Sequence, residues 1–319
     1  MKVVVIGGGK GQSTILRGLK KHHFVELSAI VTVADDGGST GRLREDFDMP
    51  AMGDVRNVIM ALAESETILN QVMDFRFKEN SRSDLAGHSL GNLILTALTE
   101  TTGDFTEAIA SMSSFLNVEG NVIPSSPDSL TLVARMQDGT IVRGESNIPE
   151  YKNSIKHVYY DQEVQASTQA IEAIMNADVI IFGIGSIYTS ILPNIIIPGI
   201  KNALSKTNAK FVYYCNVMTQ PGETDGFTVR DHIQAIETHG NIEIDAVVLA
   251  NDQLPPMILD LYIDEGSTPV NGDVILPGYT VIHQELLDFD GGVIRHDSQK
   301  VYQGFAKVLE AIECPLAVK

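Results

Sequence analysis

Short apolar runs that alternate with segments of helical periodicity restrict the fold of this chain more than any other feature of its sequence. The helical segments include Ser13–His22, Ala166–Met175 and Gln299–Ile312. Strands formed by continuous apolar runs are typical of parallel sheets whose two faces are both covered by helices. The sequence therefore predicts an α/β fold, Rossmann-like and doubly wound, with a mostly parallel sheet and helices on both faces. The predicted strands are Lys2–Ile6, Leu27–Val33, Asp178–Phe182, Lys210–Val217 and Ala246–Ala250.

Residues 128–160 depart from this pattern. Leu130–Met136 and Thr140–Glu145 flank an Asp-Gly pair, which is a favoured hairpin turn, and Ile155–Tyr160 has the composition of a further strand. Since no Pro/Gly-rich linker divides the chain, we predict one Rossmann-like domain over residues 1–319, with a small β-hairpin excursion at about residues 128–160. Residues 34–54 are predicted to form a long loop, and residues 55–116 to be mostly helical.

Charge and cysteine content exclude several classes of protein. Of the 319 residues, 23 are Lys or Arg and 41 are Asp or Glu, so the formal net charge of −18 disfavours nucleic-acid binding. The N-terminus lacks a signal-peptide pattern, and no apolar run approaches the ~18 residues of a membrane span. The two cysteines, Cys215 and Cys314, indicate no disulfide framework, and we therefore expect a cytoplasmic protein.

A glycine-rich turn follows the first predicted strand. Glycines between a strand and a helix let backbone N–H groups approach a phosphate at the helix N-terminus. A tight turn without a ligand is the plainer interpretation. An NAD-dependent oxidoreductase is a weaker alternative, because Gln12 stands where the dinucleotide fingerprint has its third glycine. The phosphate-binding candidates in this turn are Gly8, Gly9, Lys10 and Gly11.

The loop after the second strand is rich in Asp and Gly. Asp35 could bind a ribose hydroxyl, and adjacent carboxylates could hold Mg²⁺, which makes Asp36 a candidate metal ligand. Asp54 is either a third carboxylate at this site or the N-cap of the next helix. A solvated turn would also favour this composition. The phosphate-binding candidates in this loop are Gly37, Gly38, Ser39 and Arg44.

Polar loops follow the other predicted strands and helices as well. His88 is a structural cap, a neutral donor or a general base, and Asn92 lies in the same segment. Because the carboxyl ends of parallel strands meet at one edge of a sheet, we expect all these loops to form one pocket for an anionic, phosphate-bearing ligand. The remaining candidates are Gly183, Gly185 and Ser186 in a second glycine-rich turn, with Asn216 and Thr219 after the strand that follows it.

Six motifs carry a family resemblance. GGGKG, TVADDGGSTGRLR, GDVRN, GHSLGNL, GSIYTSILPN and NVMTQPGETDGF occur in this order. Together they resemble the gluconeogenesis factor family (YvcK-like), the sister group of the 2-phospho-L-lactate transferases (CofD-like). The resemblance implies binding of a UDP-sugar such as UDP-N-acetylglucosamine, and a regulatory role in cell shape and growth on gluconeogenic carbon sources, without an established catalytic activity. It also implies that Tyr262 and Arg295 take part in ligand binding.

The sister branch supplies the alternative, a phosphotransferase that uses Mg²⁺ and a guanine nucleotide. Asp36 and Asp54 stand where its metal ligands are expected, so Mg²⁺ is the one cofactor that the resemblance brings in. Lys10 departs from the small polar residue common in the family's first turn and could add a phosphate contact. A homodimer is the default expectation for an oligomer, and the sequence names no cell-wall or signalling partner.

Overall fold

The computed structural model describes residues 1–64, 68–80, 83–270 and 276–313. Cys314 lies outside these residues, whereas Cys215 is buried and not part of a disulfide. The strands of the described residues are β1 (Lys2–Gly7), β2 (Glu26–Val31), β3 (Asn121–Pro124), β4 (Val133–Met136), β5 (Ile141–Arg143), β6 (Ile155–Tyr159), β7 (Val179–Phe182), β8 (Lys210–Tyr214), β9 (Ala246–Ala250), β10 (Thr280–Gln284), β11 (Leu287–Asp288) and β12 (Arg295–His296).

Helices connect most of these strands. A π-helical turn, Ile187–Ile191, lies directly before the helix that begins at Leu192. A 3-10 turn, Asp290–Gly292, separates β11 from β12. The helices are α1 (Gly9–Leu19), α2 (Gly38–Phe47), α3 (Gly53–Leu62), α4 (Ile68–Asp74), α5 (Leu90–Thr102), α6 (Phe105–Phe115), α7 (Thr168–Met175), α8 (Leu192–Ile195), α9 (Pro198–Leu204), α10 (Val229–Gly240), α11 (Pro256–Asp264) and α12 (Ser298–Ala311).

Seven strands form one parallel sheet in the order β10-β9-β8-β7-β1-β2-β3. The chain builds outward from β1 through β2 to β3, and then returns to β7 on the other side of β1 and continues to β10. Helix α1 packs against both α3 and α12, while α7 to α10 form a second group. The predicted doubly wound, parallel α/β fold is confirmed.

The central strands could be predicted from the sequence because they are continuous apolar runs. Residues Val3 to Ile6 of β1 are at most 2% exposed, because helices cover both faces of this strand. The edge strands β3 and β10 were not predicted. Strand β10 alternates exposed and buried positions, since an edge strand needs no continuous apolar run.

Helix α2 is a correction to the predicted loop at residues 34–54. Its glycines lower the intrinsic helix propensity, but Leu43 and Arg44 bury one face against the rest of the domain. Gly41 is packed so closely on the carbonyl group of Asp36 that a Cβ atom there would overlap it. Tertiary packing therefore overrides the loop-like composition of this segment.

Two small antiparallel sheets complete the structure. Strands β5-β4-β6 form the excursion that the Asp-Gly turn predicts, and β11 pairs with β12. Thr228 forms a capping box with Asp231 at the start of α10. No helix within the described residues is both long and apolar enough to span a bilayer.

Candidate functional site

The turns after β1 and β7 meet at the point where the strand order reverses. The amide of Asn194 donates to the carbonyl oxygen of Gly7 at 3.0 Å, which ties the two turns together. A Cβ atom on Gly11 would overlap the carbonyl oxygen of Ile184. Only glycine allows this close backbone approach at position 11. The two glycine-rich turns therefore pack directly against each other, at the point where open α/β sheets bring such loops together.

An internal carboxyl group lies under the first turn. Gly9 has a φ of +64°, and its backbone N–H donates to the side chain of Asp54. A Cβ atom on Gly8 would lie 2.5 Å from Asp54 Oδ2. Burial raises the pKa of Asp54 to about 7, and the charge of Asp35 adds to the shift. The N-cap interpretation of Asp54 is wrong, because α3 begins at Gly53 after an uncapped Met52.

Gln12 has a structural role. Its side-chain amide donates to the carbonyl oxygens of Val5 and Ile30, both at 2.9 Å, between β1 and β2. The residue that departs from the dinucleotide fingerprint is thus buried between two strands, where it replaces the close helix–strand contact of a glycine.

The loop after β2 folds back on itself. Asp35 Oδ1 accepts the N–H of Gly37 at 2.9 Å, and burial raises the pKa of Asp35. Gly38 has a φ of +48° and begins α2. Arg44 is 8% exposed and donates to the carbonyl oxygens of Asp35, at 2.9 Å, and Leu130. Arg44 therefore fastens this loop to the excursion.

Asp36 performs a similar fastening role. Its two carboxylate oxygens accept the backbone N–H groups of Glu145, at 3.0 Å, and Ser146, at 2.9 Å. Both oxygens are thus already engaged by the loop after β5. Within the described residues, no group of three or more Asp, Glu, His or Cys side chains is arranged to hold a metal ion. The arrangement of these carboxylates therefore does not fit an Mg²⁺ site that includes Asp36.

Ser39, His88 and Asn92 form a buried polar group. Ser39 Oγ lies 3.0 Å from His88 Nδ1, and Asn92 Nδ2 donates to Ser39 Oγ at 3.4 Å. Burial lowers the pKa of His88, so the imidazole is neutral at pH 7. All three residues are at most 6% exposed, and they connect α2 to the start of α5.

Glu223 fills the turn after β7. It accepts hydrogen bonds from the hydroxyls of Ser186 and Thr189, the second at 3.1 Å, and it is 3% exposed. Burial raises its pKa to about 7, although these hydroxyls and nearby backbone N–H groups oppose the shift. The positive φ angles of Gly183 and Gly185 shape this turn, and Asn216 Nδ2 donates to the Gly185 carbonyl oxygen at 2.9 Å.

Four largely buried carboxyl groups of the turns and the excursion interact electrostatically: Asp35, Asp54, Glu145 and Glu223. We call them the carboxyl cluster. Burial, together with the charges of Asp35 and Glu223, raises the pKa of Glu145 to about 8. Mutual repulsion and desolvation favour a partly protonated cluster near neutral pH. Sequence reasoning did not select Glu145 or Glu223, although Glu223 lies in the polar segment after β8.

Thr219 is hydrogen-bonded to Thr268. Its N–H donates to the Thr268 carbonyl oxygen at 2.7 Å, and its hydroxyl contacts the Thr268 hydroxyl. The hydroxyl of Tyr262 accepts the N–H of Ile294 at 3.1 Å, next to Arg295. Tyr262 therefore positions β12, and Arg295 faces a cleft that also reaches Lys10.

This cleft, which we call the basic groove, has a volume of about 640 Å³ and runs from Lys10 between α1 and α3. Sequence reasoning did not select Arg17, Arg56 or Arg76, because they come from separate elements. The position of Arg56 in the GDVRN motif is the sequence signal that could have identified it as a site residue. The charged side chains that line the groove are Lys10, Arg17, Arg56, Asp74, Arg76 and Arg295.

Comparison with known proteins gives the family. The model of the family described as 2-phospho-L-lactate transferase CofD matches residues 3–287. The chain belongs to this family. It is 47% identical over 305 residues to the gluconeogenesis factor of Bacillus subtilis (strain 168), covering 94% of this chain and 95% of that protein. It is 44% identical over 318 residues to the putative gluconeogenesis factor of Thermotoga maritima, covering 98% of this chain and 99% of that protein.

Solved structures agree with this assignment. A crystal structure of a UPF0052 family member from Bacillus halodurans superposes with a TM-score of 0.90 at 45% identity, covering 95% of this chain and 98% of that one. The resemblance drawn from the six motifs is confirmed at the level of the family and of the fold.

Proposed function

We propose that this CofD-family chain is a regulatory protein that binds a nucleotide sugar of the UDP-N-acetylglucosamine type. One observation carries the proposal: the glycine-rich turn at Lys10 and Gly11 meets the turn after β7 at the reversal of strand order and opens onto the basic groove. Open α/β sheets bind their ligands at this place. The name shared by the relatives, gluconeogenesis factor, supports a role in growth on gluconeogenic carbon sources.

The charges of the site suit such a ligand. The chain has a formal net charge of −18, so an anionic ligand needs a local excess of cations, which Lys10, Arg17, Arg56, Arg76 and Arg295 supply. The carboxyl cluster offers acceptors for ribose and sugar hydroxyls on the other side of Gly8 and Gly9. One end of the site thus matches phosphates and the other matches hydroxyl groups.

A thermal-shift panel tests the proposal. UDP-N-acetylglucosamine, other UDP-sugars, GDP-sugars and adenine dinucleotides are compared with and without Mg²⁺. A ligand at 100 times its dissociation constant stabilises the fold by about 2.7 kcal/mol, which raises the melting temperature measurably. We expect UDP-sugars to give the largest shift. Melting curves that do not change across the UDP-sugars would contradict the proposal.

The family match favours one alternative, a phosphotransferase that resembles 2-phospho-L-lactate transferase. Phosphorus NMR of the chain with Mg²⁺, phospholactate joined through a phosphoanhydride to a guanine nucleotide, and a deazaflavin alcohol as acceptor would detect a new phosphodiester together with the released guanine nucleotide. Asp54→Asn is the informative variant, because Asp36→Asn would also detach the loop after β5. Turnover by the wild type that Asp54→Asn abolishes would replace the binding function with this activity.

A further inference from the structure

The basic groove concentrates positive charge in an acidic chain. The chain has 23 Lys and Arg residues against 41 Asp and Glu residues, yet the described lining of the groove has five basic side chains and one acidic one, Asp74. Asp74 is 62% exposed and lies 3.9 Å from Arg56, so solvent screens most of its charge. The groove is therefore a site where an anion from outside the chain is favoured.

Arg56 provides a second, independent indication of a ligand. Arg56 is 8% exposed, and the one carboxylate paired with it, Asp74, lies 3.9 Å away and is itself 62% exposed. One end of the guanidinium donates to Ser89 and the other to Asn57 Oδ1 at 2.6 Å, both uncharged partners. Its Nε is buried and has no hydrogen-bond partner among the described residues. A buried cation whose close partners are neutral and whose one paired carboxylate is distant and exposed is stabilised when an anion joins it.

Two exposed arginines complete the groove. Arg17 lies seven residues after Lys10 on α1, which places both on one face of the helix. Arg76 donates from one nitrogen to the carbonyl oxygen of Gly87 at 2.7 Å, which fixes its guanidinium and leaves other donors for a ligand.

The glycine-rich turns themselves are occupied by the protein. Gly9 donates to Asp54, and the turn after β7 donates to Glu223. A ligand phosphate in either turn would face a carboxyl group at short range. The basic groove begins at Lys10 and Gly11 of the first turn, and its one carboxyl group, Asp74, is mostly exposed.

We propose that the phosphates of the ligand bind in the basic groove, held by Arg17, Arg56 and Arg76, rather than in the glycine-rich turns. The identity of the organic part of the ligand rests on the proposed function, whereas the anion site does not. Bidentate arginine–phosphate pairs are strong charge-assisted hydrogen bonds, so each arginine contributes a measurable part of the affinity.

Calorimetric titration tests this site with inorganic pyrophosphate, UDP-N-acetylglucosamine and uridine. We expect Arg17→Ala and Arg76→Ala each to weaken both phosphate ligands about tenfold, as loss of a charge-assisted hydrogen bond would, and to leave uridine unchanged. Arg56→Lys should also weaken them, because it keeps the charge but loses the fork of donors. The matched control is Arg230→Ala, an exposed arginine on α10 away from the groove, which should change affinity less than twofold.

The outcomes separate the two proposals. If the groove variants bind both phosphate ligands like the wild type, the groove assignment is overturned while the nucleotide-sugar function stands. If pyrophosphate binding depends on Arg17 and Arg76 but no UDP-sugar binds, the groove stands and the proposed function fails. Absence of binding by both phosphate ligands overturns both.

Discussion

The Glu223 carboxyl accepts a hydrogen bond from the Ser186 hydroxyl, so an acid from the loop after β8 closes the turn after β7. The position beside Ser186, where a phosphate was expected, holds a side chain of the protein itself. Together with the hydrogen bond from Gly9 to Asp54, this relationship makes the protonation of internal carboxyl groups part of the stability and the binding properties of the site.

Stability is expected to fall as pH rises through neutrality. Burial raises the pKa of Glu223 from 4.5 to about 7, so between these values the folded state holds a proton that the unfolded chain releases. Each pKa unit corresponds to about 1.4 kcal/mol, and we expect a loss of about 2 kcal/mol in unfolding free energy from Glu223 between pH 5 and pH 8. Denaturant titrations of the wild type and of Glu223→Gln measure it.

The Glu223→Gln variant should flatten this dependence, because glutamine mimics the protonated acid. Glu310→Gln, an exposed change on α12, is the control and should keep the wild-type slope. An equally steep slope in Glu223→Gln would assign the pH dependence to other groups.

Asp54→Asn is expected to strengthen binding of a UDP-sugar without Mg²⁺. Asparagine can still accept the Gly9 N–H but carries no charge to repel phosphates nearby. Since burial raises the pKa of Asp54 to about 7, we expect an affinity gain of several-fold at pH 8 and little gain at pH 6. Titration calorimetry at both pH values measures this, with the exposed Asp260→Asn as control. Binding by the wild type that Mg²⁺ strengthens and that Asp54→Asn weakens would instead give Asp54 a role as metal ligand.

Tyr262→Phe should weaken the ligand without unfolding the chain. The variant loses the hydroxyl contact with the Ile294 N–H at 3.1 Å, so β12 and Arg295 are held less firmly. We expect a several-fold loss of UDP-sugar affinity with a melting temperature close to that of the wild type. Tyr151→Phe removes a comparable hydroxyl contact in the excursion and should bind normally. Unchanged affinity in Tyr262→Phe would show that Arg295 does not need this support.

Gly11→Ala should destabilise the fold by about 2 kcal/mol or more, because the new methyl group would overlap the Ile184 carbonyl oxygen and force the two turns apart. Gly7→Ala is the matched control in the same segment, since its Cβ atom would come no closer than 3.5 Å to another side chain. Thermal unfolding of both variants gives the comparison. Equal stability of the two would mean that the turns can separate freely.

The core of the fold was predictable because it depends on local composition. The strands β1, β2, β7, β8 and β9 are continuous apolar runs, and a parallel sheet buries such runs on both faces. The edge strand β3 and helix α2 were not predictable in this way. Their stability comes from contacts with distant segments, such as Arg44 with Leu130, which no local pattern encodes.

The site was predictable in its location and less so in its chemistry. The reversal of strand order follows from the topology and brings Gly11 and Ile184 together. The sequence could not predict that Asp54 and Glu223 occupy the turns, because their positions depend on side-chain directions in separate loops. The grouping of Arg17, Arg56 and Arg76 likewise depends on how α1, α3 and the segment after α4 pack.

The attachment of Asp36 to the backbone of Glu145 and Ser146 has a mechanical consequence. The loop after β2 and the β5-β4-β6 ribbon are linked at this point, so a shift of one pulls on the other. Any rearrangement of Asp35 and its neighbours around a bound sugar would be transmitted along the ribbon to the outer surface. We expect a partner that distinguishes the loaded protein from the empty one to contact this ribbon.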